Sequence, residues 1–243
     1  MREPSRVTKK NMRQQRRQDR RNDISPHETV IQLKEREPQP LEPITEAQKR
    51  YLQSIKNNII TFGIGVAGSG KSYVATMYAC ELLKQGKISR IFVTRPIVEA
   101  GEKLGFLPGL EEEKVAPYFY PIKDIMESSL GKSHVEYLIK HGRIVFKPLA
   151  YMRGCTFNDA FLIADEMENA TDSQMRLILT RIGKNCKVVI DGDLAQKDIS
   201  GESGLKSAME KLKNVNNINV VKFGIEDIVR SDIVKDIIIA YNS

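Results

Sequence analysis

The run GVAGSGKS at residues 65–72 constrains this chain more than any other feature. It matches the pattern G-x-x-x-x-G-K-[ST] in full. An apolar run from Asn58 to Val66 precedes it and predicts a strand, and apolar residues at helical spacing follow from Lys71 to Lys84. In a strand–loop–helix context this pattern binds phosphate, because glycines let backbone N–H groups approach the anion and the helix N-terminus adds its positive dipole. The sequence therefore predicts a nucleotide-binding phosphate loop rather than a glycine-rich turn with an incidental lysine. The residues of this loop are Gly65, Val66, Ala67, Gly68, Ser69, Gly70, Lys71, Ser72 and the adjoining Tyr73.

Further strands and helices alternate along the chain after this loop. Several strand candidates are apolar nearly throughout, which is typical of parallel strands covered on both faces. The pattern predicts an α/β domain with a mainly parallel β-sheet flanked by helices. The predicted strands are residues 58–66, 90–95, 143–147, 160–164, 187–190 and 217–223, and the predicted helices are 71–84, 171–182, 203–213 and 225–241, the last of them packing on the core through Ile228, Val229, Ile233, Ile237 and Ile238.

The charge is concentrated at the N-terminus. Residues 1–21 contain nine Lys or Arg against two acidic residues, and the whole chain has a formal charge of +7. We expect residues 1–44 to be a basic arm, disordered when free, that ends in the Pro-rich linker Pro38–Pro43, and residues 45–243 to form the folded domain. Such an arm can neutralise nucleic-acid phosphates; a solubilising tail or a segment docking on a neighbouring subunit is the alternative.

Composition excludes several classes of protein. No run of eighteen apolar residues predicts a membrane span, and the basic start is not followed by the apolar stretch of a secretory signal. Three distant cysteines, Cys80, Cys155 and Cys186, form no metal knuckle and no even disulfide framework. We expect a cytoplasmic, reduced protein, with 243 residues too few for two motor domains.

Two further strand ends provide the rest of a hydrolytic site. Asp165 and Glu166 follow the apolar run 160–164, where Asp165 can hold a Mg²⁺ ion with Ser72, and Glu166 can polarise the attacking water. Lys71 would reach the β- and γ-phosphates. Gln196 follows the strand 187–190 and can contact the γ-phosphate or the water. A plain strand end and a plain turn are the alternative interpretations of these two segments. The guanine-reading pattern N-K-x-D is absent, which favours ATP over GTP.

Over residues 41–241 the chain resembles the PhoH-like proteins, single-domain P-loop ATPases related to the superfamily 1 helicase core. The resemblance implies a RecA-like P-loop NTPase domain; the basic arm lies outside it. It rests on Thr45–Gln48, Gly65–Ser72, Val93–Pro96, Gly101–Gly109, Tyr151–Gly154, Asp165–Glu166, Leu179–Gly183, Gly192–Asp198 and Asp227–Arg230.

The resemblance implies further residue roles. Gln48 would contact the adenine edge, unless it is only a solvated helix residue. Thr94 and Arg95 would contact a nucleic-acid backbone. An arginine that stabilises phosphate charge would be Arg181 or Arg230, and we favour Arg230 of an adjacent subunit, which predicts a ring-like homo-oligomer such as a hexamer. Tyr151 and Arg153 would stack on and neutralise a single strand, or be a packed tyrosine and an ion-paired arginine.

The leading functional hypothesis is an oligomeric, Mg²⁺-dependent ATPase coupled to single-stranded RNA or DNA, similar to a helicase or translocase. An ATP-gated binding or remodelling switch is the alternative. A P-loop kinase for a small metabolite is disfavoured, because Asp165, Glu166 and Gln196 suit attack by water and no arginine-rich lid is evident in the folded part.

Overall fold

A six-stranded sheet organises the described part of the chain. The computed structural model describes residues 40–97 and 115–242, so residues 1–39 of the predicted arm and the segment 101–109 lie outside the described residues. All neighbouring strands are parallel, and their order is β3-β2-β4-β5-β1-β6. The strands are β1 (Ile60–Gly65), β2 (Arg90–Thr94), β3 (Ile144–Phe146), β4 (Ala160–Ala164), β5 (Cys186–Gly192) and β6 (Ile218–Phe223).

Helices cover both faces of this sheet. One core lies between the sheet and α1, α2, α3 and α4, and a second lies between the sheet and α5 and α6. The central strand β4 is fully buried because both cores pack against it. The helices are α1 (Glu46–Asn57), α2 (Lys71–Lys84), α3 (Tyr120–Leu130), α4 (Lys132–Lys140), α5 (Asp172–Leu179), α6 (Gly204–Leu212) and α7 (Asp232–Asn242).

The predicted fold class is confirmed, and each of the six predicted strands is present within a few residues of its expected bounds. Helices α1, α3 and α4 were not among the predicted elements. The predicted helix 225–241 is wrong in its first part: a 3₁₀ turn at Ile225–Asp227 comes first, and α7 begins only at Asp232. Its packing is also different, because Ile233 is 65% exposed and Ile237 is 49% exposed, while Ile228 before the helix is buried.

The strand order determines where a site can form. β5 lies between β1 and β4, with Ile64 opposite Gly192 and Ala164 opposite Ile190. The segments that leave these three strands at their carboxyl ends therefore meet at one edge of the sheet. Within residues 40–97 and 115–242, no helix is long and apolar enough to cross a membrane.

Candidate nucleotide site

The phosphate loop wraps around its own lysine. Gly68 and Gly70 have φ angles of 78° and 81°, which an L side chain adopts only with strain, so the loop requires glycine there. The Lys71 ammonium donates to the carbonyl oxygens of Gly65 at 2.7 Å and Val66 at 2.8 Å. The Lys71 ammonium is therefore hydrogen-bonded within the loop itself, and a phosphate would compete with these two carbonyls for the ammonium.

Gln48 of α1 holds the same loop from behind. Its Nε2 donates to the carbonyl of Ser69 at 2.9 Å, and its Oε1 accepts from the backbone N–H of Ile44 at 2.9 Å. A Cβ at Gly70 would lie 2.5 Å from the Gln48 Nε2. The side chain is buried and both ends of its amide are bonded within the chain, so in this conformation Gln48 positions the loop rather than presenting a free edge to adenine.

Ser72 and Asp165 meet at the mouth of the loop. The Ser72 hydroxyl donates to Asp165 Oδ1 at 2.9 Å, which brings a hydroxyl and a carboxylate oxygen together. Burial, and then the charge of Glu166, raise the pKa of Asp165, while Arg95, Ser72 and Lys71 lower it. Oxygen donors of this kind suit Mg²⁺, which keeps its other positions for water and phosphate. The two residues present therefore fit the predicted metal.

Glu166 projects into the cleft from a left-handed turn. Its φ of 54° and ψ of 37° turn the backbone out of the extended conformation of β4, and a 3₁₀ turn begins at Met167. The Glu166 carboxylate lies 3.5 Å from a guanidinium nitrogen of Arg95, whose other terminal nitrogen donates to the carbonyl of Tyr118 at 2.7 Å. Arg95 is thus placed beside the candidate general base. The Thr94 side chain is fully buried, so it cannot contact a nucleic-acid backbone in this conformation. The predicted contact of Arg95 with such a backbone stays a prediction.

Glu168 is a site residue that the sequence analysis missed. It is fully buried, and its Oε2 accepts from the backbone N–H of Asp193 at 3.1 Å. Burial, and then the neighbouring Glu166 carboxyl, raise the pKa of Glu168 to about 8. The contact joins the turn after β4 to the loop after β5, which carries Gln196. The motif Asp-Glu-x-Glu was visible, but nothing in it signals that the second glutamate faces inward.

Asp191 and Tyr51 form a second missed pair beneath the cleft. The Tyr51 hydroxyl donates to Asp191 Oδ1, and both residues are buried. Burial raises the pKa of Asp191 to about 8, although the Tyr51 hydroxyl opposes this by bonding the ionised form. The pair couples α1 to β5 directly under the phosphate loop.

The two arginine candidates are placed differently. Arg230 lines the cleft of its own chain: a Cβ at Gly68 would lie 3.0 Å from Arg230 Cγ and 3.3 Å from Nε, and the adjacent Val229 N–H donates to the Gly68 carbonyl at 2.9 Å. Arg230 therefore reaches the phosphate loop of its own chain. The predicted position of Arg230 in the site of an adjacent subunit is not needed for this contact. Arg181 lies outside the cleft, where a guanidinium nitrogen donates to the Cys155 carbonyl at 3.4 Å.

Tyr151 and Arg153 are exposed, and neither lines the cleft. Tyr151 lies on a 3₁₀ turn after β3, Leu149–Met152, and Arg153 directly follows that turn. The N–H of Leu149 donates to the Arg95 carbonyl at 3.0 Å. The alternative interpretation of Tyr151 as a packed tyrosine is wrong, since its side chain is 53% exposed. A short backbone path therefore joins this exposed pair to the cleft.

The cleft itself has a volume of about 370 Å³. One cavity brings together the phosphate loop and the ends of β2, β4 and β5, as the strand order requires. It is lined by Ala67, Gly68, Gly70, Lys71, Ser72, Tyr73, Arg95, Tyr118, Pro121, Ile122, Ile125, Asp165, Glu166, Gly192, Asp193, Gln196 and Arg230.

Comparison with known proteins agrees with this geometry. The family model described as PhoH-like protein matches residues 40–242. The chain belongs to the PhoH-like family. It is 46% identical over 200 residues to a PhoH-like protein of Bacillus subtilis (strain 168), covering 82% of this chain and 63% of that protein. It is 40% identical over 211 residues to Protein PhoH of Escherichia coli (strain K12), covering 85% of this chain and 60% of that protein.

This chain thus spans about three-fifths of the length of these PhoH-like relatives. Among solved structures, the UvsW helicase from Bacteriophage T4 matches with a TM-score of 0.48 and 14% identity, over 75% of this chain and 61% of that one. Family membership, the phosphate loop and the α/β sheet together make this chain a P-loop NTPase of the PhoH-like family.

Proposed function

We propose that this chain binds ATP with Mg²⁺ and hydrolyses it, and that hydrolysis is coupled to a single-stranded RNA or DNA. The observation that carries the proposal is the shared cleft. Lys71, Asp165, Glu166 and Gln196 come from three different strand ends and line one cavity. Each of them has the chemistry that attack of water on a γ-phosphate requires.

The roles follow from the positions. Ser72 and Asp165 would hold the Mg²⁺, which when bound neutralises phosphate charge. Lys71 leaves the carbonyls of Gly65 and Val66 to contact the phosphates. Glu166 accepts a proton from the attacking water, and Gln196 orients that water or the γ-phosphate.

Two arginines of the cleft supply additional positive charge. Arg230 lies on the phosphate loop of its own chain, and Arg95 lies beside Glu166. An arginine that contacts the transferring phosphoryl group in the transition state accelerates hydrolysis by about 10³-fold or more. We assign this role to Arg230 acting within its own chain. Arg95 would make a second contact, in which its guanidinium leaves Glu166 and binds a phosphate oxygen instead.

Coupling to nucleic acid is supported by the exposed pair Tyr151 and Arg153. An exposed aromatic ring stacks on an unpaired base and an exposed guanidinium neutralises phosphate, without sequence readout. The turn that carries Tyr151 is hydrogen-bonded to the Arg95 backbone, so a change at the γ-phosphate has a direct route to the bound strand.

Helix α7 supports a second candidate, an ATP-gated switch acting on a protein partner or on further copies of the chain. Ile233 and Ile237 are exposed on a helix that follows Arg230 within a few residues, so nucleotide at the cleft and an apolar contact surface share one segment. We retain a ring-like homo-oligomer, such as a hexamer, within the proposal on this basis. The cytoplasmic location predicted from the sequence is also kept in the proposal, independently of α7.

The deciding experiment measures the steady-state ATPase rate with and without single-stranded RNA and single-stranded DNA. Lys71→Ala and Glu166→Gln should both lose turnover, and Glu166→Gln should still bind ATP because it keeps the phosphate loop intact. Several-fold stimulation by one polymer supports the coupled ATPase. A clear basal rate that neither polymer changes refutes the coupling and favours the switch, and full activity in both variants refutes the site.

A further inference from the structure

A trough lies at the β6 edge of the sheet, apart from the nucleotide cleft. Among the described strands, β6 pairs only with β1, and α1 runs beside it. The space between α1 and β6 has a volume of about 880 Å³ and shares no lining residue with the nucleotide cleft. We name it the amide trough. Its lining combines cations and amides: Lys49, Arg50, Lys222, Gln53, Asn57, Asn58 and Asn219, with Ser54, Val220 and Val221.

The charge of the amide trough has one sign. Three of its lining residues are cationic and none is acidic. Only Lys49 has an ion-pair partner within the described residues, Glu46 at 2.6 Å, and both side chains of that pair are more than half exposed. An exposed pair of this kind contributes little and is readily exchanged for another anion. The surface therefore favours an anionic ligand.

A hydrogen-bond network fixes the floor of the amide trough. Ser54 is buried, its Oγ accepts from Asn219 Nδ2 at 2.9 Å, and its carbonyl accepts from Asn58 Nδ2 at 2.9 Å. The Ser54 hydroxyl also lies 3.2 Å from Thr61 Oγ1. In the described part of the chain nothing donates to the Oδ1 atoms of Asn58 and Asn219. The floor thus presents ordered amide acceptors that a ligand with N–H or O–H groups would satisfy.

Cations and amide acceptors together select the ligand. The cations suit phosphates, which inorganic polyphosphate and nucleic acid share. The amide oxygens require donors, which polyphosphate lacks and which sugar hydroxyls and base amino groups provide.

We propose that the amide trough binds the backbone of a single-stranded nucleic acid. The inference rests on the proposed function for the class of ligand only; the site is a different surface from Tyr151 and Arg153. Lys49 and Arg50 directly follow Gln48, which bonds the phosphate loop through the Ser69 carbonyl. A strand held by this turn of α1 is therefore one residue away from a contact that supports the nucleotide site.

The test uses the full chain and fluorescein-labelled 20-nucleotide single-stranded RNA and DNA of mixed sequence, with fluorescence anisotropy read at several salt concentrations. The variant Lys49→Ala/Arg50→Ala/Lys222→Ala removes the cations of the amide trough. The control Lys132→Ala/Lys140→Ala/Lys213→Ala removes the same charge from exposed positions on other elements. Circular dichroism checks that both variants fold. An Asn58→Ala/Asn219→Ala variant removes the two amide acceptors of the floor, and its fold is checked in the same way. With polyphosphate as competitor, it separates nucleic acid from a general polyanion.

We expect the trough variant to bind at least ten-fold more weakly and the control to stay within two-fold of the unaltered chain. Each lost phosphate contact should reduce the salt slope by about 0.7 for a single strand, so the loss should be about 2 for three contacts. The amide variant should weaken oligonucleotide binding and leave polyphosphate binding unchanged.

Unchanged oligonucleotide affinity and salt slope in the trough variant would overturn the proposal. An amide variant that binds oligonucleotide and polyphosphate like the unaltered chain would do so too. The same holds if the unaltered chain retains no oligonucleotide at low salt. The ATPase rate keeps this outcome apart from the proposed function. If the trough variant binds and is stimulated like the unaltered chain, the trough fails and the coupling stands. If the unaltered chain binds through the trough without stimulation, the coupling fails and the trough stands.

Discussion

Arg95 gives the sharpest prediction, because the family resemblance and the structure assign it to different ligands. The resemblance implies a contact with a nucleic-acid backbone, whereas the structure places the guanidinium between Glu166 and the Tyr118 carbonyl, in the lining of the nucleotide cleft. Replacing Arg95 by alanine separates the two roles. We expect Arg95→Ala to lower the ATPase rate in the absence of any polymer.

The magnitude follows from the two contacts. A charge-assisted hydrogen bond, such as that from Arg95 to the Tyr118 carbonyl, contributes about 1.5–3 kcal/mol. The pair with Glu166 adds at most about 1 kcal/mol, because the Glu166 side chain is 44% exposed and solvent screens the interaction. The fold should therefore lose about 1.5–4 kcal/mol of stability. A lost phosphate contact in the transition state should reduce the turnover number by about ten-fold or more.

Arg153 provides the matched control, since it is an exposed arginine outside the cleft. Arg153→Ala should weaken oligonucleotide binding and leave the basal ATPase rate unchanged, and Arg95→Ala should do the reverse. Steady-state ATPase assays and anisotropy without nucleotide measure the two properties separately, with Arg95→Lys testing whether charge alone is enough. Basal turnover within two-fold of the unaltered chain in Arg95→Ala, together with lost oligonucleotide binding, would refute the reasoning.

Three other predictions follow from the site and from α7. Arg230→Ala mixed with Lys71→Ala should not regain ATPase activity if Arg230 acts within its own chain; recovery in mixed oligomers would show action across subunits. Asp191, whose pKa burial raises to about 8, keeps its proton in the folded state while the unfolded chain ionises, so stability should fall as pH rises from about 4 to about 8. Urea titrations at several pH values measure this fall in the free energy of unfolding. Asp191→Asn should make the pH dependence shallower by up to about 1.4 kcal/mol per pH unit, and an unchanged pH dependence would contradict the raised pKa of Asp191. Ile233→Glu/Ile237→Glu should change the free energy of unfolding by less than about 1 kcal/mol and weaken self-association in sedimentation, whereas a large destabilisation would mean that α7 packs on the core.

The four inner strands, β1, β2, β4 and β5, could be predicted from sequence because their burial is nearly complete. All five residues of β4 are buried, so their apolar character is not diluted by a solvent-facing side. A parallel strand covered on both faces leaves this unbroken run, and the helix spacing between such runs completes the α/β pattern. The phosphate loop was predictable for a related reason: its glycines satisfy a backbone requirement that is local.

Helix α7 shows the limit of such patterns. An amphipathic segment indicates that one face is covered, but it does not say by what. Ile228 turned out to be buried and Ile233 exposed, because the chain breaks between the 3₁₀ turn at Ile225–Asp227 and Asp232. Ile233 and Ile237 were therefore assigned to a core that they do not join, whereas Ile228 is part of it.

The residues of the site that the sequence analysis missed or misplaced depend on strand order, which is a tertiary property. Thr94 and Arg95 end β2, and the neighbour of β2 on one side is β4, with Thr94 opposite Ala164. The Asp165 N–H donates to the Thr94 carbonyl at 2.9 Å, so the residue after each strand continues the pairing and Arg95 meets Glu166. Had β2 lain at the sheet edge, the same two residues would have faced a surface open to a polymer. The sequence contains both residues but not the adjacency, and the adjacency is what places Arg95 beside Glu166 in the cleft.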